Sequence, residues 1–421
     1  MKFKRKVLPN GMRLVTVPMK DNPTITVLVM VEAGSKYENK ENNGISHFLE
    51  HMCFKGTEKR PHMSDISSEF DGLGARYNAF TSTEYTGYYA KAEAQHLDKV
   101  LDIVSDMYLH PVFDPKEIEK EKGVIVEEIN MYEDLPQRKV EEVFTELLYG
   151  DQPAGWGIAG KKEIVRKMTR EDFVAYRSKN YLPQATTMVV AGNFDEKVLA
   201  KKVAQYFKDM PQAKKQAKLK VKESQSVPQV KVFNKDTDQS HIILGVRTFD
   251  VYNKKKAILR VLAGVLSGGM SSRLFRKLRD ELGVCYYVHA SPDLCTDHGL
   301  FAVSAGLDNS RLKVATEAIL AELRRLKDDL VGKEELTKVK NQLLGGISLG
   351  LESTDEIASY FGHQEVLSLP LKGPKDLRKE ILSITAEDIR KLAREIFKNE
   401  KLNLAMVGKG SEKDFEGWFK L

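Results

Sequence analysis

Hydrophobic residues along the chain follow two different periods, which separate predicted strands from predicted helices. Short runs rich in Val, Ile and Thr, some alternating with polar positions, predict strands at 12–18, 24–33, 75–81, 86–92 and 185–192. Segments in which apolar residues recur every three or four positions predict helices at 63–72, 94–110, 115–132 and 169–180. Asn10-Gly11, just before the first of these strands, predicts a hairpin turn.

One block of this pattern occurs twice. The segment MTREDFVAYRSKNYLPQATTMVVAGNF in the first half is echoed by ITAEDIRKLAREIFKNEKLNLAMVGKG in the second. An equal offset along the chain relates Thr169 to Thr385, Glu171 to Glu387, Asp172 to Asp388 and Gly192 to Gly408. We therefore predict an α+β fold of two homologous, duplicated domains, each an antiparallel-rich sheet with helices packed on one face.

The boundary between the two copies is predicted in a segment of linker composition. Residues 211–228, PQAKKQAKLKVKESQSVP, are rich in Lys and Gln, lack aromatic residues and show no regular period. A chain of 421 residues is also too long for one compact core. We predict an N-terminal catalytic domain at 1–210, a linker at 211–228 and a C-terminal domain at 229–421.

Composition and charge limit the classes of partner. The chain has 42% hydrophobic and 30% charged residues, and its net charge of +6 is small for its length. Basic residues are interspersed with acidic ones, so we expect no nucleic-acid partner. No apolar run has the length of a signal peptide or a membrane span, and the three cysteines form no C-x-x-C pair. We expect no membrane association and a reducing, cytoplasmic location.

The candidate chemistry is concentrated in the segment His47-Phe48-Leu49-Glu50-His51. On a helix, residues four apart lie one turn above each other, so His47 and His51 can bind one metal ion. Two imidazoles and a carboxylate form a usual ligand set for catalytic zinc, and a further carboxylate can take a proton from the attacking water. The order H-x-x-E-H is the inverzincin signature. The motif predicts a zinc site with Glu50 as general base; the simpler alternative is a helix with two surface histidines.

A third zinc ligand is expected from another element. The predicted helix EIEKEKGVIVEEINMYEDLP has several glutamates, and spacing alone does not choose among Glu117, Glu119, Glu121, Glu127, Glu128 and Glu133. HFLEH followed by EKGVIVEE resembles the pitrilysin family of inverted zincins, which contains pitrilysin, insulin-degrading enzyme and the mitochondrial processing peptidase. The resemblance implies one zinc ion per chain, with Glu128 as third ligand and Glu121 as a supporting acid on the same helix face. Glu127, one residue off that face, is the alternative ligand.

The resemblance extends over essentially the whole chain. Gly34-Ser35 and Glu38 match the family's G-S-x-x-E motif. Asn78-Ala79-Phe80-Thr81 matches the edge strand on which these enzymes bind an extended substrate. A peptide that adds to a sheet edge is held by backbone hydrogen bonds. The alternative for Asn78 is a turn or capping side chain.

The second copy contains GGMSSRLFRKLRDELGVCYYVHA, which resembles the family's other active-site element. The resemblance implies that Arg279 holds a substrate carbonyl and that Tyr286 donates to the oxyanion of the tetrahedral intermediate. Tyr287 is the neighbouring alternative, although adjacent strand residues face opposite ways. The alternative for Arg279 is an interaction with a helix C-terminus.

The two copies differ in chemistry, because their alignment leaves no histidine pair near Ala263 and no acid at Leu344. The family resemblance implies a clamshell homodimer that encloses a chamber, in which the partner subunit completes each active site. Together these features predict a zinc metalloendopeptidase acting on oligopeptides or unfolded polypeptides. The alternatives are a non-catalytic structural or regulatory member of the family, or a processing peptidase for targeting presequences.

Overall fold

The computed structural model describes residues 1–421, and its contacts divide the chain into two compact units. Unit 1 comprises residues 1–129, 157–219 and 349–371, and unit 2 comprises residues 130–156, 220–348 and 372–421. This grouping differs from the contiguous division expected from the duplication, because the segments 130–156 and 349–371 each pack with the other half of the chain. Between the two halves, the chain passes from unit 1 to unit 2 after Leu219. This point lies inside the expected linker, which forms no helix or strand.

The elements of the first half follow the predicted periods closely, which confirms those assignments. The strands of the whole chain are β1 Lys4–Val7, β2 Arg13–Pro18, β3 Thr24–Val31, β4 Arg76–Thr81, β5 Thr86–Glu93, β6 Thr186–Gly192, β7 Gln229–Asn234, β8 Gln239–Arg247, β9 Cys285–Leu294, β10 Gly299–Asp308 and β11 Leu402–Gly408.

The helices include a π-helix at Phe275–Glu281 and short 3-10 turns. No helix combines the length and the hydropathy needed to cross a lipid bilayer. The α-helices are α1 Ile45–Met52, α2 Met63–Gly72, α3 Leu97–Leu109, α4 Pro115–Asp134, α5 Pro136–Tyr149, α6 Lys162–Val165, α7 Arg170–Asn180, α8 Glu196–Tyr206, α9 Lys256–Ser267, α10 Leu312–Asp328, α11 Lys333–Gly350, α12 Thr354–Val366, α13 Pro374–Ser383 and α14 Ala386–Ile396.

The sheet of unit 1 has six strands in the order β1-β2-β6-β3-β5-β4. All neighbours are antiparallel except β2 and β6. The predicted hairpin joins β1 and β2: Gly11 has a φ of 93°, and the Asn10 side chain accepts a hydrogen bond from Met12 N at 3.1 Å. The strand β4, at one end of this sheet, has a neighbour on one side only.

Both faces of the unit 1 sheet are covered, which corrects the expectation of helices on one face. One face packs on α1, α3 and α7 through residues such as Val27, Phe48 and Leu101. The other face packs on α12, whose Phe361 is buried against Leu28 and Val189. A helix covers the second face because the strands here are apolar on both sides, so that a one-sided layer would leave a large hydrophobic surface in water.

The sheet of unit 2 has five strands in the order β7-β11-β8-β10-β9. Only β7 and β11 are parallel, and this order repeats β2-β6-β3-β5-β4 of unit 1, as expected from the duplication. Helix α5 covers its second face: Val140, Phe144 and Leu148 lie along one side of the helix and pack against Ile243 and Ala405. Each sheet is therefore completed by a helix from the other half of the chain.

Candidate metal centre and active site

Helix α1 carries the H-x-x-E-H motif, and a buried carboxylate fixes where the helix begins. Glu38 accepts hydrogen bonds from the backbone N–H groups of Gly44 at 2.8 Å and Ser46 at 2.9 Å, and from the Asn43 side chain at 2.9 Å. The first N–H groups of a helix have no partner within it. Burial raises the pKa of Glu38 to about 7, although these hydrogen bonds favour its charged form. The G-S-x-x-E motif thus positions the helix that carries both histidines.

Two imidazoles and one carboxylate converge where the motif predicts a zinc site. Glu128 Oε2 on α4 lies 3.6 Å from His47 Nε2 and 3.6 Å from His51 Nε2. The three ligand atoms lie within 4.8 Å of one another, and no other such group of His, Cys, Asp or Glu occurs in the chain. Donors at about 2.1 Å from a tetrahedral zinc ion are about 3.4 Å apart, and catalytic sites use this donor set with a fourth position open. The residues therefore fit zinc.

Glu121 supports His51 from the side away from Glu128. Glu121 Oε1 lies 2.9 Å from His51 Nδ1, and its Oε2 lies 2.6 Å from Lys55 Nζ. Burial disfavours ionisation of Glu121, but the hydrogen bonds from His51 and Lys55 outweigh it and lower the pKa of the carboxyl group. A carboxylate on Nδ1 fixes the imidazole tautomer that leaves Nε2 available to a metal.

His47 has a different environment from His51. Burial, together with the nearby charge of His51, lowers the pKa of His47 to about 4, so its imidazole is neutral at pH 7, the form that binds metals. Its Nδ1 is buried without a hydrogen-bond partner. Glu127, the alternative ligand considered from the sequence, is exposed and lies outside the group of three.

Glu50 lies beside the histidines but outside the group of three. Its side chain is largely buried, and its Oε2 accepts a hydrogen bond of 2.5 Å from the Thr81 hydroxyl of β4. Burial raises the pKa of Glu50, and the hydrogen bond from Thr81 opposes part of that effect. A carboxylate beside a metal-ligand group is placed to take a proton from a water there and to return it.

The predicted substrate-binding residues 78–81 lie in β4, at the edge of the unit 1 sheet. Its only sheet neighbour is β5, with Ala79 opposite Tyr88 and Thr81 opposite Thr86. The Asn78 side chain accepts a hydrogen bond from Ala79 N at 2.9 Å, which is a local backbone contact. The edge offers backbone donors and acceptors to an added extended peptide.

Arg279 and Tyr286 lie together in unit 2, in the π-helix and in β9. Arg279 Nη1 donates to the Tyr286 carbonyl at 2.5 Å, and the guanidinium lies 4.9 Å from the centre of the Tyr286 ring. Tyr286 is 71% exposed, whereas Tyr287 is partly buried and its hydroxyl lies 3.0 Å from His241 Nδ1. The two tyrosines are thus in different environments, and Tyr286 is the one open to a ligand.

Two contacts of this site were missed by sequence reasoning. The sequence places Thr81 in the predicted substrate-binding strand and indicates no contact with Glu50, and it indicates no role for Lys55. Thr81 is distant from Glu50 in the chain, so no spacing rule relates them. For Lys55 the sequence signal is its position four residues after His51, shortly beyond the end of α1.

Comparisons with known proteins identify the family of this chain. Residues 13–162 match the insulinase family, peptidase family M16, and residues 167–343 match the peptidase M16 inactive domain. YmxG of Bacillus subtilis, described as an uncharacterized zinc protease, is 35% identical over 408 residues, which cover 96% of this chain and 98% of YmxG. An uncharacterized zinc protease of Rickettsia felis is 32% identical over 396 residues, covering 94% of this chain and 95% of that protein.

Solved structures show the same fold. A protease from Helicobacter pylori superposes with a TM-score of 0.90 at 24% identity, covering 97% of this chain and 99% of that chain. A peptidase M16 inactive domain from Pseudomonas fluorescens has a TM-score of 0.88 at 17% identity, covering 98% of this chain and 99% of that chain. The relatives confirm the family that the H-x-x-E-H motif and the glutamate pair indicated, and the chain belongs to the insulinase family of peptidases, family M16.

Proposed function

We propose that this protein is a zinc-dependent endopeptidase that hydrolyses peptide bonds in oligopeptides or unfolded polypeptides. The observation that carries the proposal is the arrangement around α1: His47, His51 and Glu128 form one ligand group, and Glu50 stands beside it without belonging to it. One carboxylate is therefore placed to bind metal and another to move protons. The curated relatives that are described as zinc proteases support the same reaction class.

In this proposal, each residue of the site has a distinct task. A zinc ion held by His47, His51 and Glu128 would supply the positive charge that polarises the peptide carbonyl and acidifies the attacking water. Glu50 takes a proton from that water and delivers it to the leaving amine. Glu121 keeps the ring of His51 in one orientation through the hydrogen bond to Nδ1.

Substrate selection follows from the edge strand. A peptide that adds alongside β4 must be extended, because it forms backbone hydrogen bonds with residues 78–81. A folded domain does not present such a free strand, so the substrates are oligopeptides and unfolded segments. Backbone hydrogen bonds do not depend on the side chains of the peptide. This favours cleavage at many sites over a single cut in a targeting presequence.

The proposal assigns Arg279 and Tyr286 to catalysis in a homodimer. Arg279 holds a substrate carbonyl, and Tyr286 donates a hydrogen bond to the oxyanion. The exposure of Tyr286 and its contact with Arg279 support a role toward a ligand. Each active site takes this pair from the partner subunit, and the dimer encloses the chamber in which peptides are cut. A reducing, cytoplasmic location fits the three free cysteines.

A non-catalytic structural role is the second candidate, since residues 167–343 match a domain described as inactive. That description falls outside the metal-binding group, because His47, His51 and Glu128 all precede residue 167. The complete set of His47, His51, Glu128 and Glu50 in unit 1 favours the enzyme.

The deciding experiment is digestion of a mixed peptide library by the purified protein, read by mass spectrometry. We expect cleavage of many short peptides, loss of cleavage with a chelator and recovery on adding zinc. Glu50→Gln protein is the matched control for a contaminating protease. Absence of any zinc-dependent cleavage would refute the enzymatic proposal, and a single cut in long basic presequences would favour the processing peptidase.

A further inference from the structure

The contact between Thr81 and Glu50 joins the edge strand to the helix of the H-x-x-E-H motif. Thr81 Oγ1 lies 2.5 Å from Glu50 Oε2. A hydroxyl has one hydrogen to donate, and an ionised carboxylate only accepts. The other hydroxyl nearby, on Thr86, donates to the carbonyl of Ala33 at 2.9 Å and lies 3.5 Å from Thr81 Oγ1. The hydrogen of Thr81 is therefore directed at Glu50.

Strand alternation explains why Thr81 reaches the helix. Successive side chains of a strand point to opposite faces of the sheet. Tyr77 and Ala79 pack with the core on the α1 side of the sheet, whereas Phe80 packs with the core on the α12 side. Thr81 has the same parity as Tyr77 and Ala79, so its hydroxyl points at α1.

The end of β4 is fixed by the turn that follows it. The backbone N–H groups of Ser35 and Lys36 donate to the carbonyls of Ser82 and Thr83, at 3.3 Å and 2.8 Å. The side chains of Lys36 and Glu84 form an ion pair of 3.0 Å and are only 1% and 4% exposed.

The buried ion pair of Lys36 and Glu84, with the loop that contains Lys36, also connects β4 to α1. Lys218 of the linker also contacts Glu84. Burying a charged pair is costly and breaking it costs more, so the pair holds the turn in one conformation. The loop that contains Lys36 continues to Glu38, which caps α1. The same loop therefore fixes the end of β4 and the start of α1. The hydrogen bond between Thr81 and Glu50 is a second, direct link between this strand and this helix.

We propose that Thr81 is a positioning residue, which holds the Glu50 carboxylate in the orientation needed for proton transfer. Thr81 then has a role distinct from substrate binding, although it lies in the substrate-binding strand. The register of β4 determines where the bound peptide lies and also where the Thr81 hydroxyl meets Glu50. The strand therefore aligns the scissile bond with the base. This inference rests on the proposed peptidase function.

The kinetic test compares Thr81→Val, which removes the hydroxyl and keeps the shape, with Thr81→Ser, which restores the hydroxyl. We expect Thr81→Val to lower kcat by about 10- to 100-fold, the usual effect of losing an outer hydrogen bond at a metal site, with KM and zinc content unchanged. Thr81→Ser should recover most of kcat. The matched control is Thr187→Val in β6, a buried threonine of the same unit whose hydroxyl has no hydrogen-bond partner.

Each outcome separates a positioning role from its alternatives. A rise in KM at unchanged kcat would mean that Thr81 only binds substrate, and a loss of zinc would mean that it only supports the metal site. Either result overturns the inference, as does a Thr81→Val enzyme with the parent kcat. Thr187→Val should have the parent kcat, and an equal loss in this control would assign the effect to the fold.

A second readout does not depend on activity. Crystal structures of the metal-free parent and of metal-free Thr81→Val should show the Glu50 carboxylate in its present place in the parent and displaced in the variant. An unmoved Glu50 in the variant overturns the inference. If the parent hydrolyses no peptide, the proposed function fails, and this structural comparison still decides whether Thr81 positions Glu50.

Discussion

Two carboxylates of the site, Glu50 and Glu128, approach the same pair of histidines and have different surroundings. Glu128 Oε2 is 3.6 Å from both imidazole Nε2 atoms, as expected for ligands sharing one ion. Glu50 instead accepts a hydrogen bond from the neutral hydroxyl of Thr81 and lies outside the ligand group. Glu128 is therefore the carboxylate expected to bind metal, and Glu50 is the one expected to transfer protons.

Glu50→Gln should retain zinc and lose hydrolysis. An amide cannot accept the proton from water, and removal of a general base typically lowers the rate by about 10²- to 10⁴-fold. Zinc per chain is measured by atomic absorption on the dialysed protein, and turnover is measured with a fluorogenic peptide. The assignment fails if the variant is metal-free, or if it turns over near the parent rate.

The ligand set is tested by four alanine variants. His47→Ala, His51→Ala and Glu128→Ala should each lower both zinc content and activity, because each removes one of three donors. Glu127→Ala is the matched control: its side chain is exposed on the neighbouring position of α4, and we expect parent zinc content and activity. Zinc retained by Glu128→Ala and lost by Glu127→Ala would reverse our choice of ligand.

At the scale of the elements, α12 completes the sheet of unit 1 although it comes from the second half of the chain. Its Phe361 is fully buried against strands β3 and β6. A Cβ added at the adjacent Gly362 would lie 2.7 Å from Met30 Sδ, which shows how closely the helix approaches the sheet. The helix is therefore part of the core of unit 1.

Phe361→Ala should destabilise the protein by about 3–5 kcal/mol, the usual cost of removing a buried aromatic ring. Leu349→Ala, in the same exchanged segment, removes a side chain that is 71% exposed and should change stability little. Urea denaturation followed by circular dichroism gives the free energy of unfolding for both. Equal stability of the two variants would show that α12 does not belong to the core.

Sequence periods predicted most elements of the first half but not which sheet each helix covers. The helix α2 was predicted with the bounds that the structure has, and β6 within one residue. The sequence pattern of an amphipathic helix such as α5 reveals an apolar face, but it does not identify the sheet against which that face packs. The zinc-ligand pair on α1 was predictable because both histidines lie on one helix, whereas the choice of Glu128 needed the family resemblance.

At the scale of the whole molecule, the metal-binding group and the proposed Arg–Tyr pair lie in different copies of the duplicated domain. The metal-binding group lies in unit 1, and Arg279 and Tyr286 lie in unit 2. In the proposed two-fold homodimer, each of the two sites would use the zinc of one subunit and the Arg–Tyr pair of its partner.

Mixing Glu50→Gln protein with Tyr286→Phe protein tests this proposal. Each variant alone should be nearly inactive. If the pair acts in trans, a mixed dimer contains one site with both defects and one intact site, so activity should return after subunit exchange. Exchange is verified by native mass spectrometry. Verified exchange without recovered activity would show that the pair acts in cis.

The exchange of α5 and α12 between the halves also determines when each unit can be finished during translation. A ribosome releases β1 to β6 of unit 1 long before it reaches α12. Until then the apolar face that contains Leu28 and Val189 has no covering helix. Unit 2 in turn waits for β11, which pairs with both β7 and β8. The nascent chain therefore carries an uncovered sheet face while residues 193–353 are made, and neither unit is complete until much of the second half has been synthesised.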